Sequence, residues 1–117
     1  MPKAFQAVAL VFLGGALGSG LRYLIGLDIE LGPTLMIVNT FGTLLLGAVN
    51  AKTWPNWVQP FFGTGVAGGF TTLSGVSLFL SAHASAEPLS AALPVALMLA
   101  LGFASYWLGT KLVRLWP

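Results

Sequence analysis

Charged side chains are scarce in this sequence. Lysine and arginine together occur five times and aspartate and glutamate three times, so that 7% of the 117 residues are charged while 56% are hydrophobic. Soluble domains carry about 25% charged residues, and eight charges are too few to cover the surface of a water-soluble fold of this length. The composition therefore excludes a soluble globular domain and indicates a membrane protein of one domain.

Cysteine is missing altogether, and histidine occurs once, at position 83. Disulfides, thiolate nucleophiles and thiolate metal sites are thereby excluded. His83 has only Glu87 as an ionisable neighbour in the sequence, which argues against a metal site. No paired acid and base or nucleophile constellation is present, so the sequence predicts no enzyme. The few basic residues form no patch of the kind that binds nucleic acid.

Long apolar segments are present instead. A helix needs about 20 mainly apolar residues to cross a hydrocarbon core of about 30 Å, and segments of this length run over about 4–27, 34–51, 61–82 and 89–113. The sequence thus predicts an all-α membrane protein, with residues 1–117 forming a single four-helix transmembrane domain. Because the apolar run of the first segment is longer than that of a signal peptide, we expect this segment to be retained.

The basic residues collect on one side of these spans. Lysine and arginine flank both termini and the second loop, whereas the acidic residues fall in the first and third loops. The positive-inside rule then predicts that both termini are cytoplasmic. Three tryptophans fall on the basic side, where indole rings anchor at lipid headgroups. The basic residues are Lys3, Lys52, Lys111 and Arg114; the acidic residues are Asp28, Glu30 and Glu87; and the tryptophans are Trp54, Trp57 and Trp116.

Glycines lie in pairs within two of the spans. Gly14 and Gly18 are four residues apart, as are Gly65 and Gly69. Each pair lies on one helix face and lets another backbone approach closely. This spacing predicts a compact bundle, and the abundance of small residues in short helices favours a dimer.

Three features inside the spans are polar. Arg22 lies near the end of the first span, where its side chain either snorkels to the surface or serves a polar site. Asn39 lies inside the second span, and its amide either bridges helices or faces a polar cavity. The segment 68–75, Gly-Gly-Phe-Thr-Thr-Leu-Ser-Gly, is a poor continuous helix. It predicts a break in the third span that frees carbonyls and hydroxyls, as in membrane proteins that hold a bare cation.

At these residues the sequence resembles the bacterial fluoride channels of the CrcB/Fluc family. The first span carries a Gly-Gly pair at 14–15, a glycine at 18 and Arg-Tyr at 22–23. The second carries Gly-Pro-Thr at 32–34, Val-Asn at 38–39 and glycines at 42 and 47. The third carries Gly-Gly-Phe-Thr-Thr-Leu-Ser from position 68, which is similar to the family's Gly-Gly-x-Thr-Thr-Phe-Ser-Thr-Phe signature. The resemblance covers the whole chain and implies a location in the bacterial inner membrane.

The resemblance implies an antiparallel, dual-topology dimer in which fluoride crosses passively along the subunit interface. It also implies a structural sodium ion at that interface, held by backbone carbonyls of Gly68 and Thr71. Arg22 would place positive charge in an aqueous vestibule. The implied pore-lining positions are Asn39, Thr72, Leu73, Ser74, Val76 and, on approximate position alone, Ser105.

The chain departs from the family pattern at two of these positions. Leu73 and Val76 stand where the family has phenylalanines whose ring edges line the pore, and an aliphatic side chain offers no such positive edge. The charge bias also fits a subunit fixed in one orientation. We therefore expect pairing with an oppositely oriented homologue that keeps the phenylalanines, although a homodimer remains an alternative.

Two other functions are compatible with four short spans. A non-conducting structural subunit is one, and the loss of the two phenylalanines favours it. The other is a small multidrug antiporter, which needs a carboxylate within the membrane. None of the four predicted spans contains aspartate or glutamate, which argues against the antiporter.

Overall fold

The computed structural model describes residues 3–84 and 87–117, most of which are helical. Helix α1 is Lys3–Gly26 and α2 is Leu31–Asn50; a π-helix, Gln59–Ala67, continues into α3, Gly68–Phe70, and is followed by α4, Leu73–Ala84, and α5, Pro88–Arg114. Within these described residues, four stretches are long and apolar enough to cross a membrane: Lys3–Gly26, Leu31–Asn50, Gln59–His83 and Pro88–Arg114. The predicted all-α membrane fold, with four spans and a broken third helix, is confirmed.

Two of the spans begin earlier than predicted. Helix α2 starts at Leu31 rather than at 34, and the third span starts at Gln59 rather than at 61. Pro33 and Pro60 lie in the first turns of these helices. Proline is tolerated there because first-turn N–H groups have no partner within the helix. These prolines therefore open the second and third spans instead of ending the loops before them.

Helix α1 packs against the π-helix through the predicted glycine pairs. A Cβ atom added to Gly14 would overlap the carbonyl oxygen of Phe61, and one added to Gly18 would overlap that of Val66. On the other side, a Cβ on Gly65 would lie 2.9 Å from the Cα of Gly14, and one on Gly69 would also meet α1 backbone. The two pairs thus face each other, which confirms that they allow close backbone approach.

Helices α2 and α5 meet in the same way. A Cβ on Gly47 would overlap the carbonyl oxygen of Tyr106, and a Cβ on Gly109 would overlap that of Leu44. Close contacts between backbones give van der Waals packing, which holds membrane helices together where the hydrophobic effect is weak.

Large apolar side chains contribute little to the interior. Leu35, Val76 and Met98 form a small buried cluster. Most large apolar side chains are instead exposed, as expected for surfaces that face lipid. The glycine contacts therefore set how closely the other helices approach the third span.

Candidate functional site: the break in the third span

The third span loses helical geometry for two residues. Helix α3 ends at Phe70, and α4 begins at Leu73. Thr71 between them is extended, with φ −78° and ψ 156°. Thr71 still completes the first half of the span, because its N–H and its hydroxyl both donate to the carbonyl of Ala67, at 3.0 and 2.9 Å. The break therefore lies between Thr71, which ends the first half of the third span, and α4, which forms its second half.

Asn39 supplies the hydrogen bonds of the Thr72 backbone. In a continuous α-helix the Thr72 N–H would donate to the carbonyl of Gly68, four residues earlier. Here it donates to Asn39 Oδ1 at 2.8 Å, and Asn39 Nδ2 donates to the Thr72 carbonyl at 3.2 Å. One side-chain amide of α2 thus pairs with both polar groups of a residue in the third span.

The hydroxyl of Thr72 caps the helix that follows the break. A continuous helix would pair the Gly75 N–H with the carbonyl of Thr71, but this N–H donates to Thr72 Oγ1 at 3.0 Å. A threonine that binds the N–H three residues later is a typical N-cap. Thr72 Oγ1 also lies 3.0 Å from Ser74 Oγ. The Gly68 and Thr71 carbonyls both lose the donor that a continuous helix would give them.

Arg22 reaches the break from α1. Its Nη1 donates to the Thr71 carbonyl at 3.3 Å, and the residue is half-buried. It also lines a cavity of about 410 Å³ together with Thr72 and Ser74. Of the two roles open to Arg22, this contact favours a polar site over snorkelling to the surface.

A larger groove runs along the opposite side of the break. It has a volume of about 810 Å³ and lies between α2, the third span and α5. Gly68 is exposed there, with open space where a Cβ would stand. The groove is mostly apolar, and its lining includes most of the residues singled out from the sequence: Asn39, Gly68, Thr71, Thr72, Leu73 and Val76.

The other predicted site residues occupy different surroundings. Leu73 is 78% exposed, whereas Val76 is 9% exposed and packs with Leu35 and Met98. Ser74 borders the smaller cavity. Ser105 is 8% exposed and lies four residues before Gly109, on the face of α5 that meets α2. Ser105 is absent from the groove lining, and its place in a polar track stays a prediction.

Sequence reasoning missed a polar end of the groove. Thr64 Oγ1 donates to Gln59 Oε1 at 3.2 Å, and both residues line the groove. Tyr106, which also lines the groove, accepts a hydrogen bond through its hydroxyl from Asn50 Nδ2 at 3.2 Å. Gln59 and Thr64 are five residues apart, a spacing that shares a face in a π-helix and not in an α-helix. Only a predicted π-helix would have revealed the first pair.

Comparison with known proteins identifies the family. The family described as CrcB-like protein, Camphor Resistance (CrcB), matches residues 9–110, which include the break and both residues that bond to its backbone. The chain belongs to the CrcB family. A fluoride-specific ion channel FluC of Prosthecochloris aestuarii is 32% identical over 127 residues, covering 99% of each chain.

Two further CrcB-family relatives match over a shorter length. Fluoride-specific ion channel FluC 1 of Rhodococcus jostii is 45% identical over 73 residues, which cover 59% of this chain and 56% of the relative. A fluoride-specific ion channel FluC of a Ruegeria species is 45% identical over 78 residues, which cover 58% of this chain and 62% of the relative. In both, the matched part spans less than two thirds of the relative.

Proposed function

We propose that this chain is a subunit of a fluoride-specific ion channel that exports fluoride passively and protects the cell from its toxicity. The observation that carries the proposal is the polar break in the third span, to which Arg22 and Asn39 bond from two other spans. The names of the matched relatives support the same function and exclude an enzyme. Family membership also removes the multidrug antiporter from consideration.

The break offers hydrogen-bond donors to an anion. Fluoride is small and strongly hydrated, so a pore has to replace its water with closely spaced donors. Asn39 has two Nδ2 hydrogens, of which one bonds to the Thr72 carbonyl, leaving one to donate. Thr72 and Ser74 share a hydrogen bond, so one of their two hydroxyl hydrogens also remains. The charge of Arg22 raises the local concentration of anions in the smaller cavity.

A sodium ion at the break is part of this proposal. Hard cations prefer oxygen ligands, and carbonyls freed at broken membrane helices are a known source of them. Gly68 and Thr71 fit, because their carbonyls lack the helical donors, and Gly68 is exposed to the groove. When bound, the ion would satisfy these oxygens and join them to ligands of a second subunit. The Arg22 contact to the Thr71 carbonyl would compete with it.

The groove supports pairing with a second subunit. Non-helical backbone at membrane depth must be covered by protein or face water, and the groove leaves this part of the third span uncovered. We infer an antiparallel dimer whose interface carries the fluoride path. An oppositely oriented homologue fits better than a second copy, because Leu73 is 78% exposed where a ring edge would be needed.

The proposed orientation of the chain in the membrane rests on the basic residues at the ends of its spans. Lys52 Nζ lies 4.3 Å from the ring centre of Trp54, and Lys111 Nζ lies 4.5 Å from that of Trp107. Such pairs of a cation and an amphipathic ring suit the headgroup region. This supports a bacterial inner-membrane protein with both termini in the cytoplasm.

Fluoride efflux from liposomes tests the function. The purified chain is reconstituted alone and together with an oppositely oriented homologue, and fluoride and chloride efflux are compared. We expect selective fluoride efflux from the pair and little from the chain alone. Robust efflux from the lone chain would contradict the need for a partner, and absence of efflux from every combination would contradict the channel function.

A non-conducting structural subunit is the second candidate, because neither Leu73 nor Val76 supplies a ring edge. The variant Leu73→Phe, at a site that is 78% exposed, separates the two functions within the same pair, with Leu97→Phe, at an exposed site of α5, as its control. If this chain contributes to the pore, Leu73→Phe should change the fluoride rate and the control should not. Equal rates for all three would favour the structural role.

A further inference from the structure

Three of the hydrogen bonds at the break come from outside the third span, and two of these involve Asn39. We propose that Asn39 is a positioning residue that creates the break, acting on the backbone of Thr72 in addition to any contact with the conducted ion. Its amide takes the place of a peptide group, with Oδ1 as acceptor and Nδ2 as donor for one and the same residue. The Gly68 carbonyl is thereby released from the helix.

The amide group is specifically suited to this role. The Thr72 N–H loses its helical acceptor at the break, and the Asn39 amide replaces that acceptor with Oδ1 while its Nδ2 donates to the Thr72 carbonyl. An aspartate would keep the acceptor and lose the donor. A leucine would keep neither, and as long as the span stayed broken it would leave the Thr72 N–H without a partner at membrane depth, which is unfavourable.

The packing of α2 brings the amide within reach. Gly42, three residues after Asn39, faces the break so closely that a Cβ there would overlap the Thr71 methyl group. Val38, next to Asn39, is fully buried and helps to fix the helix in place. The α2 backbone can therefore approach the break closely enough for a short side chain to bond to Thr72.

Without Asn39, the third span has a simple way to satisfy Thr72. The Thr72 N–H can return to the Gly68 carbonyl, as in an ordinary helix, and the break then closes. An extended residue advances the chain by about 3.3 Å and a helical residue by 1.5 Å. Closing the two residues would therefore shorten the third span by roughly 3 to 4 Å.

Spin-label distances from just before the third span to its far end test this. Because the chain has no cysteine, cysteines at Trp57 and Ser81, which are both exposed, can be labelled selectively in the full chain in detergent micelles. The labelled chain is diluted with unlabelled chain so that only distances within one subunit are measured. We expect Asn39→Leu to shorten the distance by roughly 3 to 4 Å and Asn39→Asp to preserve it, since aspartate keeps the acceptor.

The matched control is Asn50→Leu, which removes another amide of α2, one that bonds to Tyr106 instead. It should leave the distance unchanged. A role for Asn39 in contacting the ion alone predicts unchanged distances in both Asn39 variants, and that result would overturn the proposal. This readout does not depend on conduction, so a failure of the proposed channel function would be seen separately in the efflux assay.

A second measurement needs no variant of Asn39. In the unmutated chain, the Nδ2 hydrogen bonded to Thr72 should exchange with solvent more slowly than the Nδ2 hydrogens of Asn50, which is exposed. Equal exchange rates at the two asparagines would overturn the proposal even if Asn39→Leu does not fold.

Discussion

Replacing Gly18 by alanine should loosen the contact between α1 and the third span, whereas the same change at Gly20 should not. A Cβ on Gly18 would lie 2.9 Å from the backbone nitrogen of Phe70 and would overlap the carbonyl oxygen of Val66, whereas nothing lies within 4 Å of a Cβ on Gly20. Ordinary contacts begin at 3.4 Å, so the helices would have to separate by more than about half an ångström. Backbone atoms cannot rotate away as a flexible side chain can.

The magnitude follows from two opposing effects. Overpacking of this kind costs about 1–3 kcal/mol, and alanine is favoured over glycine inside a helix by about 1 kcal/mol. We therefore expect Gly18→Ala to lower the free energy of unfolding by up to about 2 kcal/mol, and by about 1–3 kcal/mol relative to Gly20→Ala, in which the same gain in helix propensity is not opposed. At Gly20 only the helix propensity changes, so Gly20→Ala should be neutral or stabilising by up to about 1 kcal/mol.

Reversible unfolding of the purified chain in mixed micelles, followed by circular dichroism, measures both variants. The two positions lie two residues apart on the same helix, so differences in insertion or local hydrophobicity largely cancel between them. Equal stabilities for Gly18→Ala and Gly20→Ala would refute the inference that close backbone contact sets the helix spacing.

Three further predictions concern the break and the orientation of the chain. Thr72→Val should lower the free energy of unfolding by about 1 kcal/mol because the Gly75 N–H loses its cap, whereas Thr72→Ser, measured by the same unfolding assay, should retain most of it. Arg22→Gln should lower the sodium concentration needed for half-maximal thermal stabilisation by roughly fivefold, because a unit charge a few ångströms away contributes about 1 kcal/mol even when screened. Lys52→Gln serves as the control. An unchanged or higher midpoint concentration for Arg22→Gln would contradict competition at the Thr71 carbonyl. Replacing Lys52 and Lys111 by glutamine should produce a mixture of orientations, detected by thiol labelling of a single cysteine introduced at Thr53, and a single remaining orientation would contradict the role of these charges.

Local pattern was enough to predict the break and the close helix contacts. The run of glycine, threonine and serine from Gly68 to Gly75 weakens a continuous helix there, and the structure breaks at Thr71, within this run. The pairs Gly14 and Gly18, and Gly65 and Gly69, predict close approach because four-residue spacing places them on one helix face. The sequence did not reveal that the two pairs contact each other.

The partners of the polar side chains could not be predicted in this way. Asn39 and Thr72 are 33 residues apart, and Arg22 and Thr71 are 49 apart, so no local periodicity relates them. The π-helix was missed as well, and with it the contact between Gln59 and Thr64. An α-helical reading of the third span places those two side chains on different faces.

The sequence by itself determined membrane residence, the number of spans and the segment in which the third span can break, because these depend on local hydrophobicity, length and backbone preference. Only the tertiary structure decided which side chains satisfy the broken backbone. That outcome depends on the distance between helices, which the glycine contacts set, and a hydrogen bond such as that from Thr72 to Asn39 forms only when the two backbones approach this closely.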